Sequence, residues 1–437
     1  MTTVPVASSK LKNYKFSENS FLPRTVTVIL RSEKKSSYKC LVRPGDFVEE
    51  GEVIARPSVE ASLKACIHSP VPGKVLDILP TYCADGSIET GVKIQFGGKF
   101  NYLGKIIKEQ DLGFISQSQI IKNLTENGII NTFDIVNPVS LGEQISNIEK
   151  KNPVIVVRLF DDDTTMLCDS LYTKFFFQEI VKGARALAKA IDASGILFAV
   201  NSKHGLKQKL EAYKDDSISF FEVSASKYPA GNSKSICRLY SKCKHKPEAI
   251  KAISIKDVFV DSGTMHEVYK SVYLGIPSVS HYVHFSGNCI PVSCFLNIVN
   301  GTSLEEIVGQ LSHFVKTPAR IIINGQLRGN TVTALDVPVS KNVKSVYFFS
   351  SEKIMDNYIY QCVNCGNCRL YCPQQIAPDL LYNYSIGRIV ISENVRKSAG
   401  LCTQCNLCNS VCPSRLPLSQ AIAVIKTNSK GSNDNEK

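Results

Sequence analysis

Eight of the sixteen cysteines in this 437-residue chain fall in two runs of a single design. The first, CVNCGNCRLYCP, sets Cys362, Cys365, Cys368 and Cys372 ahead of Pro373. The second, CTQCNLCNSVCP, sets Cys402, Cys405, Cys408 and Cys412 ahead of Pro413. Both read C-x2-C-x2-C-x3-C-P, the spacing by which bacterial ferredoxins ligate a [4Fe–4S] cluster. Three closely spaced thiolates wrap one face of a cubane, and the chain then turns away at the proline and delivers the fourth cysteine to the other cluster. The spacing predicts one cluster on Cys362, Cys365, Cys368 and Cys412, and a second on Cys372, Cys402, Cys405 and Cys408. Zinc is the competing reading of C-x2-C pairs, but zinc knuckles rarely use C-x2-C-x2-C followed by C-P, and here the pattern occurs twice. Gly366, Ser410 and Ser414 are small enough to let backbone N–H groups reach the sulfurs. Arg369 and Arg415 could raise a cluster potential or meet an acidic partner, beside the plainer reading of solvated surface charge.

The other eight cysteines (Cys40, Cys66, Cys83, Cys168, Cys237, Cys243, Cys289 and Cys294) are scattered. In a long chain they fit a reducing compartment and inert buried thiols. A net charge of +12 reads either as solubility or as attraction to an acidic redox partner or anionic lipid. No recognisable nucleic-acid-binding module accompanies it, which argues against a nucleic-acid partner. No apolar run approaches the roughly 18 residues of a membrane helix, and the opening MTTVPVASSKLKNYKF lacks the apolar core of a signal peptide. The expected place is therefore the cytosol, with any membrane contact made through partners.

These cysteines need elements to hold them. Residues 1–24 are polar and read as a loose arm. Across 25–100, short β-rich runs alternate with turn signals at Gly45-Asp46, Glu50-Gly51 and Pro72-Gly73, resembling a lipoyl- or biotinyl-type barrel-sandwich hybrid. Lys64 sits near the place of a modified lysine in such domains, but the flanking methionines of a biotin site are missing and an exposed lysine is the plainer reading. Residues 101–250 read as a Rossmann-like α/β unit: PVIVVRLF (Pro153–Phe160) and GILFAVN (Gly195–Asn201) as strands, with a helix over Phe175–Ile191 between them. No G-x-G-x-x-G occurs there. Residues 251–350 read as a small β-grasp domain, with VYKSVYLGIP, SHYVHFSGN, ARIIING and SVYFFS as strands and SLEEIVGQLSHFV as its helix. His281 and His284 with Cys289 and Cys294 could hold a metal, although strand histidines and buried thiols are commoner. Residues 351–425 carry the two cysteine runs, and 426–437 form a polar tail read as disordered.

That order of parts resembles the RnfC family, the C-type subunits of Rnf electron transport (ion-translocating oxidoreductase) complexes, from about residue 25 to 425. The resemblance rests on HSPVPGKV (His68–Val75), DSGTMHEVYKSVYLGIP (Asp261–Pro277), NGTSLEEIV (Asn300–Val308), PVSK (Pro338–Lys341), PDLLYNYSIGR (Pro378–Arg388), CPSRLPLSQAI (Cys412–Ile422) and both cysteine runs. It implies a multidomain α/β plus β fold: barrel-sandwich hybrid, Rossmann-like domain, SLBB-like β-grasp domain and a helical 2[4Fe–4S] ferredoxin-like domain. It further implies a peripheral subunit on the cytoplasmic side of the bacterial inner membrane. There it would join membrane subunits that couple electron transfer between NAD(H) and ferredoxin or flavodoxin to Na⁺ or H⁺ movement. Coupling would lie in other chains, since nothing here spans a bilayer. A soluble flavin- and NADH-dependent reductase, similar to microcompartment cobalamin reductase, is the alternative, and a docking scaffold with purely structural clusters is a third.

One stretch departs from the family. Members carry a glycine-rich loop, G-L-G-G-A-G-F-P, whose bare backbone admits the phosphate of FMN or a nucleotide. Here ENGIINTFDIVNPVSL (Glu126–Leu141) keeps only Gly128 and Pro138, with Asn131, Thr132, Phe133, Asp134, Ile135 and Val136 in the loop itself. Asp161 and Asp163 survive from a second family motif, and Tyr228, Pro229, Gly231 and Lys234 from a third. Asp161, Asp163, Tyr228, Gly231 and Lys234 are therefore the candidate FMN or NADH contacts. Either an altered loop still serves NADH oxidation, or the site is lost and the chain relays electrons from ferredoxin or flavodoxin.

Overall fold

The computed structural model describes residues 4–5, 14–17, 22–30, 38–58, 64–202, 211–213, 217–224, 227–244, 246–247, 250–311, 314–353 and 358–431. Near the N-terminus two small antiparallel sheets face each other. One runs in the order Thr25–Leu30, Ile88–Phe96, Gly73–Tyr82, Phe47–Val48, and the other in the order Tyr38–Cys40, Val53–Pro57, Ile67–His68. Alternation drives this packing: along Thr25–Leu30 every second side chain (Val26, Val28, Leu30) is buried against Ile54, Val71, Val92 and Ile94. At the Glu50-Gly51 turn, Gly51 has φ of +82°, and a Cβ there would lie 2.5 Å from the Tyr102 ring. Lys64 is half-exposed and ion-pairs with Glu143 at 2.9 Å.

The next unit is a four-stranded parallel sheet in the order Ile218–Val223, Gly195–Asn201, Val154–Arg158, Val258–Asp261. Its strands are mostly apolar because both faces are covered, with polar residues such as Arg158, Asn201 and Asp261 at their carboxyl ends. Helices Cys168–Phe175, Phe177–Ile191 and Ser262–Tyr273 contribute to one core, and Ser233–Ser241 to the other. Two expectations are corrected here. VYKSVYLGIP, read as a strand, lies largely within the helix Ser262–Tyr273, which starts on its N-cap Asp261. Its β-branched and aromatic residues favour strand locally, but the whole helix is buried and tertiary packing overrides that preference. The expected boundary at 250/251 also falls inside this unit, because Val258–Asp261 pairs with Val154–Arg158. Phe175–Ile191 divides into two helices at Phe176.

A six-stranded mixed sheet follows, in the order Tyr14–Ser17, Ser293–Val299, Ser280–Gly287, Ser345–Phe349, Arg320–Ile323, Asn330–Val332, with helix Leu304–Gln310 against it. The N-terminal arm is thus not wholly loose. Tyr14–Ser17 is an edge strand of this sheet, and Val4–Pro5 pairs with Lys227–Tyr228. His281 sends Nδ1 to Asn300 Oδ1 at 2.7 Å and Nε2 to the Val343 carbonyl at 2.8 Å, so backbone and amide occupy both nitrogens. The C-terminal part is helical, and its last helix, Leu418–Gly431, runs into the stretch expected to be a disordered tail, the rest of which (432–437) lies outside the described residues.

Candidate functional site

The two cysteine runs fold as a repeat offset by 40 positions. Helix Asn367–Leu370 answers to Leu407–Ser410, and Pro378–Ser385 to Leu418–Gly431. The backbone repeats as well. Asn364, Gly366 and Gln375 have φ of 55°, 75° and 54°, and their counterparts Gln404, Asn406 and Arg415 have 51°, 58° and 53°. Left-handed residues set between right-handed ones turn successive N–H groups inward, the geometry of an anion-binding concavity. One such N–H, that of Gln404, already points at Cys402 Sγ from 3.4 Å.

The repeat crosses over at its fourth cysteines. Cys372 lies close enough to Cys402, Cys405 and Cys408 to perturb all three thiols. Cys412 does the same to Cys368 and packs with it and with Cys362 and Cys408. Burial pushes the Cys368 and Cys405 thiols up to about 11 and raises Cys402 and Cys408 too, the neighbouring sulfurs adding to the effect. Four thiolates so placed repel one another, and a shared cationic group is what makes their joint ionisation favourable. Among the described residues no three His, Cys, Asp or Glu side chains converge on the space of a single ion. A multi-iron cluster is a larger body, with its ligands spread around it.

The runs sit differently. Around the first, Cys365 is exposed, as are Tyr358, Ile359, Tyr360, Val363 and Leu370. The second is held against the rest of the molecule, where Tyr228 Oη donates to the Cys405 carbonyl at 2.8 Å and Asn406 Nδ2 to the Leu327 carbonyl, and against its own last helix, where Lys426 Nζ donates to the Cys402 carbonyl at 3.1 Å. A cavity of about 250 Å³ lies where Tyr228, Lys234 and Arg328 face Cys402, Gln404 and Cys405. Arg369 is tied to Asp379 by two 2.6 Å bonds.

The parallel sheet reverses its strand order between Val154–Arg158 and Val258–Asp261, where Arg158 and Asp261 are register partners. Sheets of this kind bind ligands in the crevice beyond the carboxyl ends of such strands. Here the crevice is filled from within. Arg158, 2% exposed, donates to the Phe133 and Gly231 carbonyls and to Asp169, with its guanidinium 4.3 Å from the Phe133 ring centre. Lys344 reaches in from the six-stranded sheet to Asp169 at 2.9 Å and Asp261 at 2.7 Å. Burial pushes the Asp169 carboxyl up to about 7, with Lys344 opposing and Asp261 and Asp161 adding. Burial opposes ionisation of Asp261 too, but Lys344 and Arg158 hold it down at about 2.

Three donors of the loop that would cradle a phosphate are engaged already. Thr132 N–H bonds Thr264 Oγ1, Phe133 N–H bonds Asn131 Oδ1, and Val136 N–H bonds Asp134 Oδ1. The space left among Phe133, Arg158, Asp169 and Lys344 is about 10 Å³. With Phe133 and Asp134 in place of glycines the loop offers a phosphate no bare backbone, and the open space lies beside it, in the cavity of about 250 Å³ that Phe133, Asp134, Tyr228 and Lys234 share with Cys402 and Cys405. Of the five sequence candidates, four serve the fold. Asp161 accepts from Asp169 and Ser170, and Asp163 from Thr165, Leu327 and Arg328. The Gly231 carbonyl holds Arg158, and Tyr228 holds Cys405. Lys234 alone is exposed, on the cleft beside Cys402. Sequence reasoning missed Arg158, Asp261, Arg328 and Lys344, and met Asp169 only as a match to the family pattern. An arginine closing an otherwise apolar strand was the one local signal.

Comparison with known proteins adds a context. Residues 5–99 match the RnfC barrel sandwich hybrid domain family. The C subunit of the proton-translocating ferredoxin:NAD(+) oxidoreductase complex of Clostridium ljungdahlii is 21% identical over 380 residues, 86% of this chain and 82% of that one. The C subunit of the Na(+)-translocating ferredoxin:NAD(+) oxidoreductase complex of Acetobacterium woodii is 22% identical over 79% of this chain and 77% of its own. The C subunit of the ion-translocating oxidoreductase complex of Haemophilus influenzae (strain 86-028NP) is 22% identical over 78% of this chain, which spans about half (51%) of that longer relative. Among solved structures, an NAD+-reducing [NiFe]-hydrogenase in the H2-reduced state superposes with a TM-score of 0.50 at 11% identity, covering 73% of this chain and 62% of that one. This last is a likeness of fold alone.

Proposed function

We propose that this chain, related over most of its length to the RnfC proteins of ion-translocating oxidoreductase complexes, is an electron-relaying peripheral subunit of such a complex. Cys362, Cys365, Cys368 and Cys412 hold one [4Fe–4S] cluster, and Cys372, Cys402, Cys405 and Cys408 hold the other. The observation that carries this reading is the exchange of fourth cysteines, Cys372 lying with the second triad and Cys412 with the first. A bound cluster supplies reversible one-electron chemistry, at a potential tuned by hydrogen bonds to sulfur and by exposure. The chain's own residues supply that tuning: inward N–H groups at each left-handed turn, burial around the second run, solvent and exposed apolar side chains around the first.

The partners are membrane subunits of the complex and a ferredoxin or flavodoxin. The exposed apolar residues beside Cys365 support protein docking there. Among the described residues no helix is long and apolar enough to cross a membrane, in keeping with a peripheral position on the cytoplasmic face of the membrane. The six-stranded sheet is of SLBB-like β-grasp type, and the parallel sheet is a Rossmann-like domain whose phosphate loop has lost its glycines. NADH oxidation through FMN in this chain is not part of the reading. A soluble cobalamin-reductase-like role finds no support in the relatives, which are complex subunits.

Anaerobic purification with iron and flavin analysis tests the proposal. About eight irons per chain, no bound flavin, and cluster EPR signals raised by dithionite or a reduced ferredoxin but not by NADH are expected. Fewer than about two irons would sink the cluster assignment. Stoichiometric FMN with NADH-driven bleaching would instead restore the crevice as a flavin site.

A further inference from the structure

Three segments that carry the resemblance have no part in the relay: HSPVPGKV, NGTSLEEIV and PVSK. Their residues His68, Asn300 and Lys341 meet at one cavity of about 90 Å³, formed where the barrel sandwich, the loop after Gly128 and the six-stranded sheet come together. None of the eight cysteines of the two runs lines it. We propose that this cavity binds a short-chain hydroxycarboxylate, with its carboxylate on Lys341, its hydroxyl on His68 and its hydrocarbon against the apolar walls.

The walls are Val28, Ile67, Ala65, Ala84, Ile130 and Pro138, which suit a few methylene groups. Lys341 provides the charge. Its Nζ donates to the Gly128 carbonyl at 2.9 Å, and among the described residues no carboxylate lies within ion-pair distance of it. Gly128, at φ +68°, must be bare there, because a Cβ would come 2.8 Å from that Nζ and 2.2 Å from the Cys66 carbonyl. An ammonium with one backbone partner keeps donors for an anion. Burial lowers Lys341 to about 8, with Glu267 and Cys66 acting the other way and Lys270 in the same direction, so it remains mainly charged at neutral pH.

His68 provides the complement. It is 5% exposed, its ring hydrogen-bonds the Glu126 backbone, and its Nδ1 has no partner. Burial and the nearby Lys341 keep the ring neutral, with its proton affinity down at about 3. A neutral imidazole that donates through one nitrogen presents the other as an acceptor, and an unsatisfied buried acceptor is costly. A ligand hydroxyl relieves it. One cation, one acceptor and largely apolar walls, with Asp85 the carboxylate of the lining beside the polar Tyr38, Asn300, Ser340 and Asn342, together define the ligand class.

The test is calorimetric titration of the purified full-length protein with 3-hydroxyhexanoate, hexanoate and hexanol. The expected order of affinity is 3-hydroxyhexanoate, hexanoate, hexanol, with one site per chain. Lys341→Met weakens 3-hydroxyhexanoate by about tenfold or more, the loss of a charge-assisted hydrogen bond, and Ala65→Leu, which fills the cavity without touching its charges, abolishes binding. As a variant-free check, 3-hydroxyhexanoate slows reductive methylation of Lys341 in the wild-type chain, read by peptide mass spectrometry. No heat at about 10 mM ligand, well beyond the range of specific metabolite sites, overturns the proposal. So does binding unchanged in both variants, or methylation of Lys341 indifferent to ligand. None of these outcomes depends on iron content, so the relay reading and this one fail separately.

Discussion

The crevice of the parallel sheet and the pair of cysteine runs are two places where this fold could hold a redox group, and they are built in opposite ways. In the crevice, the polar groups named above find partners within the chain: Arg158 and Lys344 are neutralised by Asp169 and Asp261, and the N–H groups of Thr132, Phe133 and Val136 are bonded to side chains. In the cysteine runs, thiols crowd other thiols, and burial and mutual repulsion raise their proton affinity until something cationic joins them. A binding site is recognised by what is left unsatisfied. By that measure the crevice is mostly a joint between the α/β unit and the six-stranded sheet, with Arg158 Nε, Asp162 Oδ1 and Arg328 Nε left without a partner, whereas the runs set thiol against thiol.

The largest effect should come from breaking the crossover. Cys412→Ser should cost about four of eight irons and remove the cluster signal of the first run, although Cys412 lies in the second. EPR with iron analysis checks this, and loss confined to the cluster of Cys402, Cys405 and Cys408 would mean that each run closes on itself. Next comes the joint. Lys344→Met leaves Asp169 and Asp261 buried without their shared cation and should destabilise the α/β unit by about 3–5 kcal/mol, seen as a lower urea midpoint by circular dichroism. If the midpoint does not move, the crevice is not the joint described.

The smallest effect is a pH dependence that the crevice should show and the runs should not. Asp169 is raised from 3.8 to about 7, so the folded state binds its proton more tightly than the unfolded chain does. Its contribution is complete below about pH 4 and is lost as pH rises through about 7. Asp261 is lowered from 3.8 to about 2, so its contribution is present above about pH 4 and is lost as pH falls through about 2. Between about pH 5 and 8 stability should decline by about 1–3 kcal/mol, and Asp169→Asn should flatten that slope. A slope unchanged in the variant would assign the titration to another group.

Much of this was legible in advance, and the reasons differ by element. Short β-rich runs and turn glycines pointed to the barrel sandwich because both signals are local. Val154–Arg158 and Gly195–Asn201 were visible as buried strands because sheets covered on both faces need continuous apolar runs. Ser262–Tyr273 was misread because a helix buried all round has no polar stripe to mark its period. The altered glycine loop was plain as a set of substitutions. That its N–H groups are satisfied by Thr264, Asn131 and Asp134 was not, and neither was Lys344 arriving from another sheet.

The sequence by itself determined where the proposed redox chemistry would lie, because three cysteines within seven residues have the spacing that wraps one face of a cluster whatever the rest of the chain does. Only the tertiary structure decided that Lys344 joins Asp169 and Asp261, that Phe133 and Arg158 stack in the crevice of the parallel sheet, and that His68, Asn300 and Lys341 share a cavity. Those outcomes depend on contacts between residues tens to hundreds of positions apart, where geometry and desolvation act and no local pattern can record them.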